Sequence, residues 1–137
     1  MVVGSGNIPE SLHPLLNDAS IHFTGAVEEV RPWYNKAAVA IVPLLSGSGT
    51  RLKILEAMGL GLPVISTSKG AEGIAYSNGQ DIIIADTETD YAAALINLLD
   101  SKQTRINIQQ NARKLAQAIY DWDVVGISLA SYLNKGL

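Results

Sequence analysis

Short apolar runs recur along the chain, and most of them stop at a glycine, proline or serine before helical spacing begins. That alternation constrains the fold more than any other feature. Val2-Val3, Ile21-His22-Phe23-Thr24, Val39-Ala40-Ile41-Val42, Leu62-Pro63-Val64-Ile65-Ser66 and Ile82-Ile83-Ile84 read as strands. Helical stripes fall between and after them. They comprise Leu12, Leu15 and Leu16 following Pro9; Val30, Trp33 and Tyr34 within 27–37; and the helix formers of 51–58. Further on come Tyr91, Leu95, Leu98 and Leu99, then Ile106, Ala112, Leu115 and Ile119, and last Val124, Ile127, Leu129 and Leu133 within 123–133. Strands joined by helical crossovers imply an α/β fold: a parallel sheet with helices on both faces. The run at 39–42 is continuous enough for a strand buried on both faces. Pro14 weakens the first helix, Thr87 or Thr89 is placed to cap the helix of Tyr91, and Gly59 and Gly61 end the helix that starts near Arg51. Trp33 and Tyr34 read as core rather than as a contact surface.

Composition narrows the function. A length of 137 residues fits one domain, and 47% hydrophobic with 17% charged residues fits an ordered globular one. The chain has no cysteine, which excludes disulfide frameworks, zinc ribbons and thiol catalysis. A net charge of −3 gives no basic footprint, so nucleic acid is not an expected partner. The apolar runs are far too short to span a membrane, and MVVGSGNIPE has no basic region of the kind that opens a signal peptide. A cytoplasmic location is expected, with membrane contact by a larger parent protein left open. The strand at the very start suggests that upstream sequence has been cut away.

In a parallel sheet, ligands bind beyond the carboxyl ends of the strands. The loops to search are therefore Gly4 to Pro9, Gly25 to Glu29, Leu44 to Arg51 and Ser66 to Gly73. Gly4-Ser5-Gly6 begins like a dinucleotide fingerprint but meets Pro9 where a third glycine belongs. Ser46-Gly47-Ser48-Gly49 departs from a nucleophile elbow at its first position, and His13 and His22 read as surface or packed residues rather than metal ligands. Asp121-Trp122-Asp123 reads as a helix cap rather than a metal site. The loop from Gly47 to Arg51 carries more. Its small residues allow close approach to the backbone, Thr50 is placed as an N-cap, and the helix that follows offers free amides and a positive dipole end. Such a start binds phosphate. Arg51 in that first turn conflicts with the dipole unless an anion is present; otherwise it points to water. Glu56 has two readings as well. It pairs with Lys53 on the surface, or it accepts two hydroxyl bonds from a vicinal diol such as ribose.

The stretch from Gly49 to Thr67, GTRLKILEAMGLGLPVIST, resembles the signature of the retaining nucleotide-sugar glycosyltransferases of group 1, the GT-B enzymes with two Rossmann-like domains. Val2-Val3-Gly4-Ser5-Gly6 resembles their V-V-G-x-G turn, Phe23-Thr24-Gly25-Ala26-Val27 their F-T-G-x-V, Asn78-Gly79-Gln80-Asp81 their N-G-x-x-G turn, and Asp121-Trp122-Asp123 the F-S-W-[DE] entry to the final helix.

The resemblance implies that residues 1–137 are a C-terminal, Rossmann-like donor-binding domain cut short at its N-terminal edge. The acceptor-binding domain and the strand bearing an Arg–Lys pair for the diphosphate would be missing. It implies a hexosyl transfer from a nucleoside-diphosphate sugar without a metal or other cofactor. It places Gly47, Ser48, Gly49, Thr50, Arg51 and Leu52 at the donor diphosphate and sugar, Glu56 at the ribose, and Gly25, Ala26 and Val27 near the nucleobase. Ser48 stands where the family has the first glutamate of E-x7-E, so the grip on the sugar differs. No catalytic residue is assignable, and the isolated domain is expected to be inactive. The alternatives are a non-catalytic Rossmann-like binding or regulatory module and half of a sugar-nucleotide epimerase.

Overall fold

A computed structural model of the chain describes residues 1–47, 49 and 51–135, the last of these by backbone alone. Ser48 and Thr50, both named above, lie outside the described residues. The chain divides into two compact units, Met1–Lys36 and Ala37–Leu137.

In the first unit, the two expected strands reduce to one parallel bridge, Val2 to Phe23. The Val2 amide donates to the His22 carbonyl at 2.7 Å and the Thr24 amide to the Val2 carbonyl at 3.0 Å. The expected helix after Pro9 is a 3-10 helix, Glu10–Asn17, with Pro14 inside it. Pro14 has no amide to give an α-helical ladder, and the tighter coil tolerates that loss over a short span. The helix expected over 27–37 shortens to α1, Arg31–Lys36. Trp33 is half-buried: the His22 ring stacks on it at 6.4 Å between centroids, and Lys36 Nζ lies 5.4 Å from its ring centroid.

The second unit holds an open parallel sheet in the order β1 (Ala40–Val42), β2 (Val64–Ser66), β3 (Ile83–Ile84). Ala40 lies opposite Val64, Val42 opposite Ser66, and Ile65 opposite Ile83. All of β2 is buried, as a central strand of apolar residues should be. The expectation for 39–42 is corrected: β1 is an edge of this sheet, and Ile41 is 53% exposed. Between β1 and β2 runs α2, Leu52–Gly59, which buries Ile54, Ala57 and Met58. It ends in a Schellman motif: Gly61, at φ +72°, donates to Met58, and Leu62 reaches back to the Ala57 carbonyl.

Three helices follow, α3 (Glu88–Asp100), α4 (Lys102–Leu115) and α5 (Trp122–Lys135). Thr87 caps α3 by accepting from the Asp90 amide, and Ser101 caps α4 by accepting from the Thr104 amide. Ile65, Ala85, Leu98 and Ile108 form a buried cluster, with Tyr91 and Leu95 packed against it. Several stripe assignments shift: Leu12, Leu15 and Leu16 are exposed, as are Val124, Ile127, Leu129 and Leu133 of α5. Leu99 and Ile119 are exposed, while Ile108, which the pattern passed over, is buried. A π-helical turn at Ala116–Tyr120 changes the helix phase, which accounts for Ile119 turning outward. Asp121 caps α5, its Oδ1 accepting from the Asp123 amide at 2.9 Å. No helix among the described residues is long and apolar enough to cross a membrane.

Candidate functional site

The loops after β1 and β2 build the site. The ladder between these strands starts ordinarily, with the Ala40 amide donating to the Pro63 carbonyl at 2.8 Å. The parallel register then sets the Val42 amide toward the Ile65 carbonyl. A side chain joins this rung. Val42 donates to the Tyr91 hydroxyl at 2.9 Å, and that hydroxyl donates to Ile65 at 2.7 Å. Burial pushes the Tyr91 phenol up to about 12, so it stays neutral.

Hydroxyls also hold the start of the loop after β1. Ser66 Oγ donates to the Val42 carbonyl at 3.2 Å, and Thr67 Oγ1 donates to the Leu44 carbonyl. Gly70 closes against the same groups, its amide donating to Thr67 Oγ1 at 2.9 Å. A Cβ on Gly70 would stand 2.9 Å from the Val42 carbonyl oxygen and closer still to Ser66 Oγ, so this approach needs glycine. Gly47 and Gly49, at φ +119° and +102°, give the loop the turns it needs before α2.

Arg51 takes the N-cap position of α2, and its side chain makes no capping bond. Its carbonyl accepts from the Ile54 amide at 3.0 Å and the Leu55 amide at 3.3 Å. The Leu52 amide lies ahead of these bonds and has no acceptor within the helix. The Arg51 side chain turns inward and is only 7% exposed, which overturns the reading that it points to water. Its Nη2 donates to Glu72 Oε2 at 3.2 Å, and Lys69 Nζ donates to the same oxygen at 2.6 Å. The buried Arg51 Nε has no hydrogen-bond partner among the described residues. A buried cation at the positive end of a helix is unfavourable alone, so this position calls for negative charge. Glu72 supplies some. Its carboxyl is held below the usual value, chiefly by the Lys69 hydrogen bond and charge, with Arg51 adding less.

Leu52 and Glu56 lie on the exposed side of α2. Gly25, Ala26 and Val27 belong to the first unit, where Gly25 sits at φ +68° and its carbonyl accepts from the Gly4 amide at 3.2 Å. The structure therefore gathers Gly47, Gly49, Arg51, Leu52 and Glu56 around the start of α2. Gly25 to Val27 sit in a separate unit. Sequence reasoning passed over Lys69 and Glu72, although the Ser66–Gly73 loop was one to search. The Lys-x-x-Glu spacing in a post-strand loop was the available signal. His13 and His22 make a hydrogen-bond contact to the Ile8 carbonyl and a ring stack on Trp33, respectively. No cluster of metal-ligating side chains occurs among the described residues.

The family model for glycosyl transferases group 1 matches residues 1–101. The chain belongs to this family. A D-inositol 3-phosphate glycosyltransferase of Paenarthrobacter aurescens is 35% identical over 107 residues, 76% of this chain and 26% of that protein. An uncharacterised 44.6 kDa protein in the cps region of Klebsiella pneumoniae is 35% identical over 94 residues, 69% of this chain and 24% of that protein. This group 1 chain thus spans about a quarter of the length of the curated relatives it matches, 24% and 26%. Two solved structures share the fold. The C-terminal domain of the group 1 protein LpcC from Francisella tularensis superposes with a TM-score of 0.67 at 24% identity, covering 82% of this chain and 60% of that one. Anabaena HepE, solved in complex with UDP and glucose, does so with a TM-score of 0.79 at 17% identity, covering 96% of this chain and 39% of that one.

Proposed function

We propose that this group 1 chain is the C-terminal, donor-binding part of a retaining glycosyltransferase that moves a hexosyl group from a nucleoside-diphosphate sugar. The observation that carries the reading is the buried Arg51 at the start of α2, short of hydrogen-bond partners and beside free helical charge. In the transfer, the bond from the anomeric carbon to the diphosphate oxygen breaks, and negative charge grows on the leaving diphosphate. A guanidinium and a helix N-terminus aimed at that charge lower the barrier. This chemistry calls on no metal or other cofactor. Glu56, exposed on the same helix, takes the ribose hydroxyls with its two acceptor oxygens. Gly47, Gly49 and Leu52, on the loop before α2 and its first turn, are assigned to the diphosphate and sugar. The names of the relatives support the class: one is a glycosyltransferase acting on an inositol phosphate, and another was solved with UDP and glucose. An acceptor domain elsewhere in the parent protein completes the enzyme, which acts in the cytoplasm, and the chain alone does not turn over.

Calorimetric titration with UDP and GDP tests the reading. Glu56→Ala should lose about 1.5–3 kcal/mol of affinity for whichever nucleotide binds, because a charged acceptor is removed. Equal affinity in the variant removes the ribose role. Absence of binding by the unaltered chain favours a non-catalytic module. Sugar transfer by the chain alone contradicts the need for a second domain.

A further inference from the structure

Glu72 holds Arg51 Nη2, one of the donors an anionic ligand of Arg51 would use. We propose that Glu72 is a specificity-determining residue: its carboxylate is an internal anion that a ligand displaces from Arg51, so the site admits multiply charged anions and disfavours singly charged ones. The inference rests on the reading of Arg51 as a diphosphate contact.

Three features fit displacement better than permanent support. The two partners of Glu72 Oε2 are unequal, with Lys69 Nζ at 2.6 Å and Arg51 Nη2 at 3.2 Å. When an incoming anion takes Arg51, the carboxylate keeps its shorter bond and its charge stays compensated. Burial is unequal too. The Glu72 side chain is 60% exposed, whereas that of Arg51, at the head of α2, is 7% exposed. Finally, Glu72 does not saturate Arg51, whose Nε has no partner among the described residues.

The exchange has a charge threshold. A singly charged ligand replaces one carboxylate contact by one equivalent contact and still faces the repulsion of a Glu72 held nearby by Lys69. A diphosphate brings additional charge for the guanidinium and the helix amides, so its gain exceeds the lost pair. Glu72 thereby sorts ligands by charge without touching the sugar or base.

The test compares the unaltered chain with Glu72→Gln and Glu72→Ala, titrated with inorganic pyrophosphate and inorganic phosphate. Mildly acidic buffer of low ionic strength is used, where phosphate is mainly singly charged and Glu72, its carboxyl held low, remains ionised. Both variants should bind pyrophosphate about two- to fivefold tighter, the range of a partly exposed ion pair. Phosphate should gain by a larger factor, so that the preference for pyrophosphate narrows, and added salt should erase the difference; an equal gain for both anions overturns the charge sorting. Equal or weaker pyrophosphate binding by both variants, with the unaltered chain binding well, overturns the role of Glu72 and leaves the diphosphate reading intact. If all three proteins bind no pyrophosphate, that reading and this inference fall together.

Discussion

The Tyr91 hydroxyl braces one rung of the β1–β2 ladder, accepting from the Val42 amide at 2.9 Å and donating to the Ile65 carbonyl at 2.7 Å. It comes from the first turn of α3 and fixes the end of β1, from which the loop toward Arg51 departs. Core packing and site geometry thus meet at one oxygen. Tyr91→Phe keeps the ring and deletes both of these hydroxyl bonds. A typical intramolecular hydrogen bond contributes about 0.5–1.5 kcal/mol, so losing two costs roughly 1–3 kcal/mol. The urea midpoint should fall accordingly, and the Val42 amide should exchange faster with solvent. An unchanged midpoint together with a still-protected Val42 amide would show that the β1–β2 ladder needs no help from the hydroxyl.

Arg51 should separate stability from binding. Its guanidinium is removed from water and is paired on one side only, by a carboxylate that solvent screens. An apolar side chain of similar length removes that desolvation penalty. Arg51→Met should therefore unfold at the same denaturant concentration or be up to ~1 kcal/mol more stable, while its titration with UDP, GDP or pyrophosphate shows a clear loss of affinity. Marked destabilisation with unchanged ligand binding would make Arg51 a structural residue and remove the main support for a diphosphate site.

Much of this was legible in the residues. The apolar runs at Val64–Ser66 and Ile83–Ile84, the glycines closing α2 and the Thr87 cap all follow from short-range chemistry, and each appears where the sequence places it. Ile41 was misread because an apolar run does not tell a central strand from an edge strand; that depends on which neighbours arrive, a long-range matter. Ile119 departs from the counted stripe because the π-helical turn alters the 3.6-residue period, whereas Ile108, on regular helix four residues before the buried Ala112, lay on that face and was simply passed over. The burial of Arg51 was foreseen only as a conflict with the helix dipole. Its partner Glu72 is 21 residues away, and no local spacing announces such a pairing. Tyr91 was assigned to the core face correctly, yet the 49-residue link from its hydroxyl to Val42 depends on the completed sheet.

Acid should loosen the loop after β2 before it melts the core. Asp86 accepts from the Ser68 amide at 2.7 Å and from Ser68 Oγ at 2.6 Å. These bonds, the side-chain one foremost, hold its carboxyl below the ordinary 3.8. Glu72 is likewise held below 4.5, mainly by Lys69. A carboxyl lowered in the folded state stabilises that state above its unfolded pKa. The contribution then fades as pH falls through the lowered folded value. The thermal midpoint should accordingly be flat near neutrality and decline once the pH drops below these ordinary carboxyl values. Asp86→Asn cannot titrate, so it should start from a lower midpoint at neutral pH and show a shallower acid decline. Midpoints that fall in parallel for the two proteins would mean that the Ser68–Asp86 clasp contributes nothing to folding.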